Sequence, residues 1–88
     1  FGDRVPVSSL KGNLGHTLGA CGAIELAFSI SMLREGWIAA TRNLEVVDPQ
    51  CAPLDYVMGE ARTAKLSRVM CNKFAFGGIN TSVVVSAI

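Results

Sequence analysis

The apolar residues of this chain are spaced in a few distinct patterns, and each pattern predicts an element. From about residue 17 to residue 34 they fall on every side of a helical wheel, as Leu18, Ile24, Leu26, Phe28, Ile30, Met32 and Leu33. The residues between them are good helix formers, and Gly36, just past Leu33-Arg34-Glu35, supplies a left-handed stop. A helix that is apolar all round is buried on several sides, so this is read as a core helix. It is not read as a membrane span, because the run is shorter than the roughly 20 residues a bilayer needs and Glu25 stands in its middle. Every fourth residue is small, through Gly15, Gly19, Ala23, Ala27 and Ser31. Such a ridge lets two helices interlock closely, which predicts a second helix pressed against it.

Elsewhere the pattern changes period. Val5-Pro6-Val7-Ser8-Ser9 reads as a short extended segment, with Pro6 confining it to an edge or an end because proline cannot donate to a ladder. Residues 39–60 are punctuated by Asn43, Asp48-Pro49, Pro53 and Gly59 and read mainly as loop, with a turn at Asp48-Pro49. Residues 68–74 and 81–88 read as two strands, the second almost wholly β-branched or small. Joined across Gly77-Gly78, they predict a buried hairpin.

Composition narrows the function classes. At 88 residues the chain has room for one domain and a modest core, yet half of it is apolar. That excess points to a piece of something larger. Eight Lys and Arg against seven Asp and Glu leave a net charge of +1 with no basic stripe, which argues against nucleic acid as a partner. Three widely spaced cysteines, no C-x-x-C pair and a single histidine argue against a metal site and for reduced thiols in the cytoplasm. The chain opens on Phe1-Gly2-Asp3-Arg4, with no targeting leader visible and an upstream part expected to be missing.

Two stretches are candidates for chemistry. In the first, Lys11 to Gly22, four glycines surround His16, but the spacing fits neither dinucleotide nor P-loop fingerprints. His16 stands where loop meets helix, and the positive end of a helix dipole disfavours imidazolium, so a neutral ring is expected there. Its role on residues alone is either structural or catalytic. Glu25 either pairs with Lys11, the nearest cation in sequence, or reaches solvent at a helix edge. Cys21 reads as a packing residue, since apolar neighbours raise a thiol's pKa and nothing beside it orients a base. The second stretch, Asn72-Lys73-Phe74-Ala75-Phe76-Gly77-Gly78-Ile79-Asn80, is either a tight turn or a loop whose bare backbone admits a ligand.

Together the two stretches resemble the C-terminal signature of the decarboxylating β-ketoacyl-[acyl carrier protein] synthases. Lys11 to Gly22 resembles K-x-x-x-G-H-[TLS]-x-G-A-x-G, and Asn72 to Asn80 resembles N-x-F-G-F-G-G-x-N. The resemblance implies an α/β architecture, the C-terminal portion of a thiolase-like fold, with a buried central helix packed on a mixed sheet. Residues 1–88 would then be part of the C-terminal synthase domain, and the half carrying the nucleophilic cysteine and a first histidine would lie upstream. It further implies that His16 is the second histidine of a Cys-His-His set, Lys11 the catalytic lysine and Glu25 that lysine's partner. Phe76, with its backbone N–H in an oxyanion hole, and Phe74 would form the acyl gate, on a structural loop containing Gly77, Gly78 and Asn80.

The implied reaction loads an acyl chain on the upstream cysteine, removes CO₂ from malonyl-carrier protein and joins the two. A neutral histidine donating to the developing enolate acts there as an oxyanion-hole donor does. Substrates would be acyl and malonyl thioesters carried on the phosphopantetheine of acyl carrier protein, with no further cofactor and no metal, in a homodimer or ketosynthase heterodimer. Departures from the family pattern stand at Cys21 and Lys73, where small residues are usual, at Ile79 and at Ala75. A methyl group at position 75 restricts positive φ and is expected to stiffen the gate. The Phe74-Ala75-Phe76 form with Ile79 is similar to ketosynthases of aryl-polyene and related polyketide pathways. Two other readings are a chain-length factor that shapes a partner's pocket without condensing, and a fragment inactive on its own.

Overall fold

The computed structural model describes residues 2–88. The order of elements is a 3₁₀ turn (Gly2–Arg4), β1 (Pro6–Val7), α1 (Lys11–Leu14), a second 3₁₀ turn (Leu18–Ala20), α2 (Cys21–Glu35), β2 (Trp37–Ile38), β3 (Asp55–Tyr56), β4 (Arg62–Thr63), β5 (Arg68–Ala75) and β6 (Ile79–Ser86). The described residues gather into two compact units. One runs to His16 and resumes over Ile38–Thr63; the other joins Thr17–Trp37 to Ala64–Ile88. The buried side chains divide with them, Leu10, Ile38, Ala39 and Val57 in the first and Cys21, Glu25, Met32, Leu33 and Cys71 in the second.

In the first unit β1 lies parallel to β3, Pro6 opposite Asp55 and Val7 opposite Tyr56. Parallel neighbours require a long crossover, which residues 8–54 supply. Pro6 opens its strand, as its missing N–H demands. The pairing continues where the Val57 N–H donates to the Val7 carbonyl at 3.0 Å, and the Thr41 N–H donates to the Val57 carbonyl at 2.8 Å. Val57, at 1% exposure, is the centre of this core. The expected turn forms at Asp48, whose Oδ1 accepts the Gln50 N–H at 2.8 Å and whose carbonyl accepts the Cys51 N–H at 2.9 Å. Arg62 closes the unit with a bidentate contact to Asp55 at 2.6 and 2.9 Å.

In the second unit α2 begins at Cys21, four residues later than its apolar pattern suggests. The reason is Leu18, whose φ of 52° belongs to no right-handed helix and forces a separate turn first. The end matches expectation: Gly36 adopts φ 76°, ψ 46°, and its N–H donates to the Met32 carbonyl. β5 and β6 pair antiparallel from Arg68–Ser86 to Ala75–Ile79, leaving Phe76-Gly77-Gly78 as the loop. Consecutive positive φ values of 85° and 79° at Gly77 and Gly78 are what a bare glycine pair permits.

Two burial expectations are corrected. The hairpin is not buried: it packs against α2 around Cys71, while Met70, Phe74, Val83 and Val84 stay exposed. Phe28 and Ile30 of α2 are also exposed. The small-residue ridge has no second helix against it among the described residues; Ala23 and Ala27 are open, and nothing lies within 4 Å of a side chain built at Gly19. Eighty-eight residues do not supply the second layer this much apolar surface needs. No helix of the described residues is long and apolar enough to cross a membrane.

Candidate active site

Lys11 and His16 lie at the two ends of one tight turn in the first unit. α1 opens with the Asn13 and Leu14 N–H groups donating to the Leu10 carbonyl, both at 3.0 Å, and closes with the Gly15 N–H on the Lys11 carbonyl at 2.8 Å. A side chain at Gly12 would meet the Arg42 carbonyl oxygen at 2.6 Å, so α1 rests directly on the backbone of residue 42. The entrance is fixed as well, because the Ser9 N–H donates to Thr41 Oγ1 at 3.0 Å and Ser9 Oγ accepts the Lys11 N–H at 3.3 Å. Gly15, at φ 75° and ψ −178°, then turns the chain out and delivers an exposed His16.

Glu25 lies in the second unit, buried at 8% exposure, which removes the solvent-edge reading. The ion pair made within that unit is with Lys73 Nζ, on Glu25 Oε2. Glu25 Oε1 accepts the Cys21 thiol at 3.3 Å. Two strand residues back, the Cys71 thiol donates to Ser29 Oγ at 3.2 Å, and the Ser29 hydroxyl donates to the Glu25 carbonyl at 2.8 Å. β5 therefore descends α2 in the opposite direction, Cys71 at Ser29 and Lys73 at Glu25. The Lys73 stem crosses beside Gly22, where a side chain would sit 3.7 Å from its Cγ. Sequence reading missed Lys73 as a partner of Glu25. The signal was present, since Cys21 and Lys73 are two of the departures from the family pattern and both converge on this carboxylate.

Phe74 and Phe76 also belong to the second unit, both exposed, Phe76 at 97% on the loop itself. Asn80 pairs with Phe74 across the hairpin, and the Ser82 hydroxyl donates to Asn72 Oδ1 on the same exposed face. Ala75 overturns an expectation. It pairs with Ile79 at the end of β5 and is not among the residues of positive φ, so its methyl group meets no backbone restriction.

A family model described as "Beta-ketoacyl synthase, C-terminal domain" matches residues 2–45. The 3-oxoacyl-[acyl-carrier-protein] synthase 2 of Coxiella burnetii is 44% identical over 91 residues, covering 100% of this chain and 22% of that protein. The chain belongs to the β-ketoacyl synthase family. The 3-oxoacyl-[acyl-carrier-protein] synthase 1 of Escherichia coli K12 is 43% identical over 86 residues, covering 97% of this chain and 21% of that one. A crystal structure of a β-ketoacyl synthase from Burkholderia phymatum STM815 superposes with a TM-score of 0.92 at 56% identity, over 96% of this chain and 21% of that chain. The fold is therefore that of a β-ketoacyl synthase, α/β and thiolase-like, and the chain spans about a fifth of the length of these relatives. The first signature, Lys11 to Gly22, runs along the chain from α1 to the start of α2, and the second, Asn72 to Asn80, spans the end of β5, the loop and the start of β6.

Proposed function

We propose that this chain is the C-terminal part of an enzyme that elongates acyl chains by decarboxylative Claisen condensation. The observation that carries the reading is the turn from Lys11 to His16, held at Gly12 and Ser9 and released at Gly15, in a chain similar along its whole length to 3-oxoacyl-[acyl-carrier-protein] synthases. An acyl group enters as a thioester on an upstream cysteine. The carbon–carbon bond to the malonyl carboxylate breaks, CO₂ leaves, and the electron pair forms an enolate on the malonyl thioester. His16 donates a hydrogen bond to that enolate oxygen, and Lys11 adds positive charge nearby. The enolate carbon attacks the acyl carbonyl, whose oxyanion is held by the Phe76 N–H, and the cysteine thiolate departs. Glu25 supports the site electrostatically, and Phe74 and Phe76 gate the acyl chain.

The partner in this reading is acyl carrier protein in the cytoplasm, with the chains working as a homodimer or ketosynthase heterodimer and no cofactor beyond the carried phosphopantetheine. The Phe74-Ala75-Phe76 form with Ile79 supports a polyketide-like, aryl-polyene product over a simple fatty acid. The test is His16→Ala in the full-length protein. Malonyl decarboxylation, followed as CO₂ release, falls by about 10²–10³, while acylation of the cysteine, followed by mass, persists. Equal loss of both steps, or intact decarboxylation, refutes the assignment.

A further inference from the structure

We infer that Lys73 is a positioning residue: its ion pair with Glu25 fixes where β5 lies on α2 and, through β5, where the Phe76-Gly77-Gly78 loop stands. The consequence for acyl substrate rests on the condensing function proposed above. Apolar contact between a strand and a helix is non-directional and tolerates sliding. A charge-assisted hydrogen bond is short and geometrically strict, so it selects one placement. Lys73 is the last charged residue of β5 before the loop, three residues from Phe76. After it β5 carries only Phe74 and Ala75, both exposed, and beyond Phe76 come two glycines of wide conformational freedom.

Three neighbours fit this role. Gly22 leaves the surface of α2 low where the Lys73 stem crosses. Cys21 occupies the other carboxylate oxygen, so Glu25 presents Oε2 toward β5. Cys71 makes the preceding contact of the same strand face, on Ser29. A neutral replacement of Lys73 leaves the Glu25 carboxylate in place but removes this counter-charge and frees the strand end.

The test uses the full-length protein with Lys73→Met and Lys73→Arg, read by amide hydrogen exchange and by steady-state kinetics. In Lys73→Met the amides of residues 74–80 are expected to exchange about tenfold faster while those of residues 28–35 keep their rates, and Lys73→Arg restores protection. KM for the acyl donor rises about tenfold with malonyl decarboxylation retained. Unchanged protection of residues 74–80 overturns the inference, as does equal loosening of both stretches. Should Lys73→Met not fold, Lys73→Gln against Lys73→Arg gives the same comparison with the same two outcomes. If the wild-type protein makes no condensation product, the proposed function fails, and the exchange data still decide the role of Lys73.

Discussion

Gly12→Ala tests the contact on which the placement of Lys11 depends. The new methyl carbon would stand 2.6 Å from the Arg42 carbonyl oxygen and 3.0 Å from Arg42 Cβ. Backbone has to yield by about 0.8 Å to bring the first of these to an ordinary contact, and overpacking of this kind costs about 1–3 kcal/mol. Alanine returns part of that, about 0.5–1 kcal/mol, because it orders more cheaply than glycine within a helix. The net expectation is a loss of about 1–2 kcal/mol. Urea unfolding of the full-length protein measures it, with Asn13→Ala as control, an exposed position of the same turn expected to stay within about 0.5 kcal/mol of wild type. Because α1 must move off residue 42, decarboxylation should fall in Gly12→Ala and not in the control. A Gly12→Ala protein as stable as wild type would mean that α1 does not rest on Arg42, and the account of how Lys11 is held would go with it.

Two further outcomes are expected. The isolated 88-residue chain should bind a hydrophobic dye and melt without a sharp transition, because Phe28, Met70, Phe74, Phe76 and Val84 are all exposed; a cooperative thermal transition as a monomer would refute this. The Arg62 guanidinium, by hydrogen bonding Asp55, holds that carboxyl below the usual carboxylate range. A depressed folded-state value means stability that is fully present above the unfolded value of about 4 and lost as pH falls through the lowered one. The difference in thermal midpoint between wild type and Asp55→Asn should therefore shrink on acidification from pH 6 toward roughly pH 2, and a constant difference would exclude the linkage.

The elements were legible where one residue type dominates the local physics. Gly36 ends α2 where a left-handed residue was expected, and Asp48-Pro49 makes its turn. Gly77-Gly78 carries the hairpin. The start of α2 was not legible, because the decisive event is a leucine at positive φ, which propensity never favours. Burial was misjudged for a related reason: apolar pattern reports what a surface requires, and here the helix ridge and the outer hairpin face require layers beyond 88 residues. Of the candidate site, the two signatures named the candidate residues, but sequence proximity did not reveal that Lys73 is a partner of Glu25. Lys73 is 48 positions from Glu25, and no rule of spacing connects a helix carboxylate to a strand lysine that far along the chain.

The opposed course of β5 and α2 makes them a pair of rulers with unequal divisions. Two strand residues advance about 6.7 Å and four helix residues about 6.0 Å, so Cys71 on Ser29 and Lys73 on Glu25 are adjacent marks that nearly coincide. The next pair of marks, Ala75 and Cys21, is out by about 1.4 Å, and there the strand carries no polar group that needs alignment. As on a vernier, coincidence occurs at one setting. A slip of two residues along β5 preserves which side chains face the helix, the usual safeguard of strand register, yet in one direction it would set a thiol against the carboxylate with the ammonium opposite Cys21, and in the other a methyl group against the carboxylate with the ammonium opposite Ser29. The identity of two side chains, rather than the alternation of the strand, is what makes this setting unique.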